Sequence, residues 1–209
     1  MMSVLSNLRV WAVAAVSVFV LSACSHTPVY SSAPAEAPSL GDWNYLIGPG
    51  DSVQVFVWRN PDVSGSFPVR PDGKMTMNLI EDLPAAGKTP THLARDIEKA
   101  LSKYIQDPIV TVIVAGGMGP YSQQVRVVGE AAKPQALNYR EHMSLIDLMI
   151  SVGGLTDYAA GNKAYILRTE DGKRTPLGVR LEDLIKGGDY SANVEVRPGD
   201  ILVIPESLF

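Results

Sequence analysis

The chain has one cysteine, three histidines and only 7% aromatic residues among its 209 positions. A lone cysteine forms no internal disulfide, so no cystine framework holds this fold. His26, His92 and His142 have no Ser, Cys or Asp motif beside them and read as surface residues, not catalytic bases. There is no basic run. Lys and Arg number 18 against 22 Asp and Glu, a formal net charge of −4, whereas phosphate neutralisation needs clustered cations. Nucleic acid is therefore excluded as a partner. The apolar stretch at residues 10–21, interrupted only by Ser17, is too short to span a bilayer, which takes about 20 apolar residues.

What is present supports a folded protein. At 46% hydrophobic and 19% charged residues, the chain can bury a core. Residues 1–9, with Arg9 as the one charged side chain, precede the apolar run, and small residues follow it up to Cys24. This is the layout of a secretory signal. Leu21-Ser22-Ala23-Cys24 also resembles the lipobox of bacterial lipoproteins, in which the cysteine becomes the first residue and its sulfur carries a diacylglycerol. The resemblance makes residues 1–23 a lipoprotein signal peptide and Cys24 the lipid attachment site; two or more acyl chains anchor a protein stably. Ser25 stands where inner-membrane retention usually shows Asp, which favours the outer membrane, with the protein facing the periplasm. Residues 24–42 are rich in Pro, Ser and Ala without apolar periodicity. They read as a lipidated flexible tether, able to reach on the order of 50 Å when extended.

Two folded units are expected, at residues 43–117 and 121–206. In the first, Ile47-Gly48-Pro49-Gly50-Asp51 is a turn feeding a strand in which Val53, Val55 and Val57 share one face. Phe56 and Trp58 on the other face imply that it too is covered, by protein or by a neighbouring subunit. Residues 67–73 form the next turn, and then Met75, Met77 and Leu79 alternate with polar residues. Thr89-Pro90 opens a helix whose stripe is Leu93, Ile97, Ala100, Leu101 and Tyr104, and Asp107-Pro108 terminates that stretch. Residues 109–115 read as an interior strand.

Residues 116–120 link the units; their glycines match no dinucleotide fingerprint. In the second unit, residues 123–128 are a strand turned by Gly129-Glu130. Ser144 and Asp147 form an acidic variant of the capping box for a helix that buries Leu145, Leu148, Met149 and Val152 and ends at Gly153-Gly154. A strand at 164–168, a hairpin turn at 171–172, a helical turn at 181–185 and a strand at 201–204 complete it. Pro198-Gly199-Asp200 before that last strand partly echoes Pro49-Gly50-Asp51. The expected class is α+β, a small sheet with one helix packed across it in the second unit.

No catalytic, metal or cofactor site stands out. Gly87-Lys88-Thr89 imitates the end of a phosphate loop, but Asp82 occupies the position of the required glycine. Asp51, Asp72, Asp107 and Asp200 sit beside Pro or Gly, where Asp side chains bond nearby backbone N–H groups, and Glu130 is read the same way.

Taken together, the motifs resemble the outer-membrane polysaccharide export family, the Wza-type lipoproteins. The resemblance is carried by Cys24; by Gly48, Pro49, Gly50 and Asp51; and by Arg70, Asp72 and Gly73 within Val69-Arg70-Pro71-Asp72-Gly73. It continues through Asp107 and Pro108, Gly129 and Glu130, Gly153 and Gly154, and Pro198, Gly199 and Asp200. It implies a polysaccharide-export domain followed by one SLBB (soluble ligand-binding β-grasp) domain, as in short members encoded with exosortase-linked systems. It further implies a non-enzymatic conduit for exopolysaccharide and a ring-shaped homo-oligomer, the octamer being the family's best-known state. The implied partners are an inner-membrane co-polymerase that sets chain length and a separate outer-membrane β-barrel. That barrel is expected because the chain stops at Phe209, where larger members continue into a pore-lining helix. Pro134-Gln135 departs from the Pro-Gly usual in the family. Two other classes remain open, a glycan-degrading envelope enzyme and a saccharide-binding envelope lipoprotein.

Overall fold

A computed structural model of the chain describes residues 30–33, 43–117, 119–170 and 172–207. The signal peptide, Cys24 and most of the tether lie outside the described residues. The architecture is α+β, with two separate hydrophobic cores.

The first core forms under strand β2 (Ser52–Val57), whose alternation buries Val53, Val55 and Val57 as expected. β2 is the middle of a three-stranded antiparallel sheet, between β3 (Gly65–Pro68) and β6 (Val110–Gly116). Helix α1 (Pro90–Leu101) packs against β6 and buries Leu93, Ala94, Ile97 and Leu101. Its start follows local rules. Thr89 Oγ1 accepts the His92 N–H at 3.2 Å, and Pro90 sits where its missing N–H leaves no bond unmade. A two-stranded ribbon of β4 (Lys74–Met77) and β5 (Ile80–Pro84) adds Met75, Met77 and Ile80 to the core.

Three expectations fail here, each for a physical reason. Leu79 does not join Met75 and Met77 inside; the chain reverses between β4 and β5 with Leu79 at φ 70°, and its side chain is exposed. Tyr104 is exposed because α1 ends at Leu101, before Asp107-Pro108 is reached. The strand over residues 109–115 is an edge rather than interior, and Ile109 and Ile113 face outward. A short apolar run looks the same in sequence whether one face or both are covered.

The second core lies against a six-stranded sheet in the order β1-β10-β9-β11-β7-β8. Its strands are β1 (Ser31–Ser32), β7 (Gln124–Gly129), β8 (Ala136–Asn138), β9 (Tyr165–Glu170), β10 (Lys173–Gly178) and β11 (Ile201–Ile204). β11 runs parallel to β7 and antiparallel to β9, so the latest strand in sequence occupies the middle of the sheet. Helix α2 (Leu145–Val152) buries the expected stripe of Leu145, Leu148, Met149 and Val152, and Gly153 closes it at φ 79°. The short helix α3 (Leu181–Ile185) contributes Leu181 and Leu184. No helix among the described residues is long and apolar enough to cross a membrane.

β1 departs from the reading of residues 24–42 as free tether throughout. Residues 30–33 lie on the second unit, where Ser31 and Ser32 pair in parallel with Leu177 and Gly178. An open sheet edge offers unpaired backbone groups that any adjacent extended segment can satisfy.

At the start of α2, Asp147 Oδ2 accepts the Ser144 hydroxyl at 2.7 Å and the Ser144 backbone N–H at 2.9 Å. These bonds, the hydroxyl first, hold the Asp147 carboxyl below its ordinary pKa. A depressed folded-state pKa stabilises the fold above the unfolded value, about 3.9, and that stabilisation is lost as pH falls through the folded one. Ser144→Ala is expected to cost about 1 kcal/mol at pH 7. In chemical denaturation followed against pH, the gap between the two proteins should begin to narrow as pH falls below about 4 and close once pH has passed through the depressed folded-state pKa of Asp147.

Candidate functional site

The segments that enter and leave the first unit meet around one carboxylate. Asp51 is fully buried and accepts three hydrogen bonds: Gly48 N–H at 2.8 Å, Gly119 N–H at 3.1 Å and Tyr45 O–H at 2.5 Å. Gly48 and Tyr45 lead into the first unit, and Gly119 belongs to the segment that leaves it. Burial, then the Asp51 hydrogen bond and its negative charge, push the Tyr45 phenol well above its ordinary pKa, so it stays a donor. The approach is too close for side chains. A Cβ on Gly48 would lie 2.1 Å from the Gly119 carbonyl carbon, and one on Gly117 would lie 1.9 Å from Asp51 Oδ1.

Amides extend this joint. Gln123 Oε1 accepts the Leu46 N–H at 3.1 Å, and its Nε2 donates to the Asn44 carbonyl at 3.3 Å. Gln124 Nε2 donates to the Gly119 carbonyl at 3.2 Å, and Asn138 Nδ2 on β8 donates to the Gly117 carbonyl at 2.6 Å. Trp43 packs edge-on against Tyr139 with centroids 5.2 Å apart.

The echo between Pro49-Gly50-Asp51 and Pro198-Gly199-Asp200 is structural. Each Asp side chain accepts the backbone N–H three residues earlier, from Gly48 and Arg197 respectively, and each Asp N–H donates to that same residue's carbonyl. The further partners differ. Asp200 holds Arg168 through two bonds, Nε to Oδ1 at 3.1 Å and Nη2 to Oδ2 at 2.7 Å, with side chains 7% and 2% exposed for Arg168 and Asp200. Arg168 thus crosses the second unit from β9 to the turn before β11.

The remaining sequence candidates are not brought together. Arg70 forks between Asp72 and Asp82 on the exposed surface of the first unit, and Gly73 turns the chain beside them. Exposed pairs of this kind contribute little to stability. Asp107 is exposed at φ 48°, next to Pro108. Gly129 ends β7, where Glu130 N–H donates to the Ile204 carbonyl and Glu130 Oε2 accepts the Thr156 hydroxyl at 2.6 Å. Gly153 and Gly154 finish α2. His142 is exposed, 3.3 Å from Glu195 Oε1, and His92 lies exposed in the first turn of α1. Among the described residues no three His, Cys, Asp or Glu side chains converge as metal ligands.

Two open depressions lie on the second unit. One, of about 770 Å³, includes Asn138, Arg140, His142, Asp147 and Ile150 in its wall. The other, of about 670 Å³, is bounded by Tyr30, Asn162, Lys163, Tyr165, Arg180 and Glu206. Their walls offer hydroxyls, amides and charges of both signs.

Each unit contains a match to a known domain family. A family model described as "Polysaccharide biosynthesis/export protein" matches residues 41–115, and the SLBB domain model matches residues 124–178. The chain belongs to the outer-membrane polysaccharide export family. Similar curated proteins include the "EPS I polysaccharide export outer membrane protein EpsA" of Ralstonia nicotianae (strain ATCC BAA-1114 / GMI1000). It is 26% identical over 187 residues, covering 78% of this chain and 47% of its own length. The protein of the same name from Ralstonia solanacearum is 25% identical, over 76% of this chain and 47% of its own length. The "Polysialic acid transport protein KpsD" of Escherichia coli is 23% identical, over 77% of this chain and 28% of its own length. The chain spans about half the length of the first two of these relatives and less of the third.

Within this export-family chain, sequence reading found both aspartates but missed what they hold. Tyr45, Gly119, Gln123, Gln124 and Asn138 gave no local signal, because their partners are distant in the chain. Arg168 did leave one. It follows Ile166 at an inward-facing position of a strand, and a charge there needs a buried partner.

Asp200→Ala would leave the Arg168 charge buried and unpaired, an expected loss of about 3–5 kcal/mol in equilibrium denaturation. Asp51→Ala strips the shared acceptor from three donors and is expected to cost on the order of 3 kcal/mol. It should also speed hydrogen exchange at Gly48 and Gly119, which Asp200→Ala should leave unchanged.

Proposed function

We propose that this chain is a non-enzymatic outer-membrane lipoprotein, anchored through Cys24 and facing the periplasm, whose copies form a ring that passes exopolysaccharide outward. The observation that carries the reading is the succession of an export domain and an SLBB domain, proposed at residues 43–117 and 121–206, with Gln123 and Asn138 of the second bonded to the first unit's ends. The names of the relatives, polysaccharide export outer membrane proteins and a polysialic acid transport protein, point the same way. In this reading a sliding polymer needs a wide polar lumen that hydrates its hydroxyls without binding them tightly. An inner-membrane co-polymerase would hand over the chain, and a separate outer-membrane β-barrel would complete the passage.

Self-association is supported by the outer face of the first unit's sheet. The β2–β6 register places Gln54 opposite Ile113 and Phe56 opposite Thr111, and Trp58 N–H donates to the Ile109 carbonyl. Phe56, Trp58, Ile109 and Ile113 are each roughly half or more exposed, at 48%, 54%, 62% and 51%. Covering such a face with a second copy would recover about 25 cal/mol per Å² of apolar area removed from water.

Two substitutions test the two halves of this proposal. Cys24→Ala is expected to move the protein out of the outer-membrane fraction and to lower surface polysaccharide; normal fractionation and secretion would refute an anchored role. Trp58→Glu with Ile113→Glu should convert the oligomer to monomer in light scattering while the Tm of the chain stays within a few degrees. New reducing ends after incubation with the cognate polysaccharide would instead establish a glycan-degrading enzyme.

A further inference from the structure

We infer that the depression of about 670 Å³ beside Tyr165 is a seat for a short stretch of neutral glycan, held weakly as it passes. The inference rests on the reading of the chain as a polysaccharide exporter and adds to it a place of contact and a class of sugar. Tyrosines single the depression out. Tyr30 and Tyr165 line it, with ring centroids 4.6 Å apart and planes tilted by 46°. Tyr158 and Tyr190 stand at its margin. Ala159 bridges to Glu206 in the wall, and Ser191, also in the wall, follows Tyr190. Those two tyrosines are 70% and 73% exposed, so they add little to either core. Four of the chain's eight tyrosines thus gather at one place on the second unit, whereas the wall of the other depression holds no tyrosine, phenylalanine or tryptophan. Single exposed aromatic side chains are ordinary; a group of them around a concavity marks a binding surface.

The chemistry of the wall selects the ligand. A tyrosine face is electron-rich, and the C–H bonds on one side of a pyranose ring lie flat against such a face while the hydroxyls point sideways. The hydroxyls of Tyr30, Ser32 and Tyr165, the Lys163 ammonium and the Glu206 carboxylate make no hydrogen bond among the described residues. Donors and acceptors therefore stand ready for the hydroxyls of a sugar. The remaining polar groups are already fixed. Arg180 lies 3.0 Å from both Asp183 and Asp189, and Asn162 exchanges two bonds with Asp183, at 2.7 and 3.2 Å. That leaves one free cation against one free carboxylate, with no net field to draw in an acidic sugar. The volume falls within the about 300–1,000 Å³ of small-ligand sites. The depression is open, as a polymer in transit requires.

The test titrates the full-length protein, in a detergent without a sugar headgroup, with hexasaccharides of glucose, mannose and galactose, followed by saturation-transfer NMR. At least one is expected to bind with a Kd on the order of 1 mM, and hexagalacturonate to bind several-fold more weakly. No transfer to any of the three at about ten times that concentration overturns the seat. Equal or tighter binding of hexagalacturonate overturns the assignment to neutral sugar. Tyr165→Ala should weaken binding several-fold. Because that change also removes the ring beside Tyr30, Lys163→Ala combined with Glu206→Gln is measured as well and should act in the same direction. Tyr121→Ala, at an exposed tyrosine outside the depression, should leave binding unchanged. Binding that survives the Tyr165 change and the Lys163 and Glu206 pair overturns the site. A fall in oligomer mass with sugar binding intact assigns the tyrosines to a contact between copies and overturns it too. New reducing ends in the titrated mixture overturn the non-enzymatic reading on which the seat rests. A chain that binds none of the sugars but still needs Cys24 for secretion loses the seat and keeps the conduit.

Discussion

A carboxylate removed from water must have its oxygens satisfied by donors already in place, because leaving it bare costs several kcal/mol. Asp51 meets that demand with neutral groups alone, two backbone N–H groups and a phenol, drawn from the segments that enter and leave the first unit. The carboxylate therefore pins the start of the glycine-rich link, and Gln123, Gln124 and Asn138 reach it and the entering segment from the second unit. The glycines at 48 and 117 are what let the backbones come within bonding distance. The joint is a matter of local chemistry more than of area. A few hydrogen bonds in a site without solvent fix an angle that surface contacts would leave loose.

The same turn is used a second time with a different purpose. Asp200 repeats the bond to the residue three positions earlier but spends its remaining capacity on a buried arginine. One aspartate ties the segment entering a unit to the one leaving it, and the other ties a strand to the turn beside it. Both are structural. The outward surfaces carry the apolar sheet face at Phe56 and Trp58 and the polar depressions beside Tyr165 and His142.

What could be read from the amino-acid order was whatever depends on neighbours in the chain. Val53, Val55 and Val57 announce a half-buried strand, Thr89-Pro90 a helix start, and Ser144 with Asp147 another; Gly153 marks a helix end. Each is decided within about four residues. Leu79, Tyr104 and Ile113 went astray because their burial depends on where the chain turns or whether a second layer arrives, and alternation alone carries neither fact. The joint shows the same divide. Asp51 was visible as a turn residue, but its bond to Gly119 joins positions 68 residues apart, and the pairing of Ser31 with Leu177 spans most of the chain.

The central position of β11 sets an order of events during folding. A chain emerging amino end first can complete the first unit's sheet as soon as β6 has appeared, since every strand of that sheet lies before residue 117. The SLBB sheet cannot do the same. Its middle is vacant until Ile201–Ile204 arrives, and until then β9 and β7 expose edges that face each other across a gap. Such unpaired edges are where chains misassociate while folding. The second unit thus stays open to wrong pairings until its final strand has been delivered.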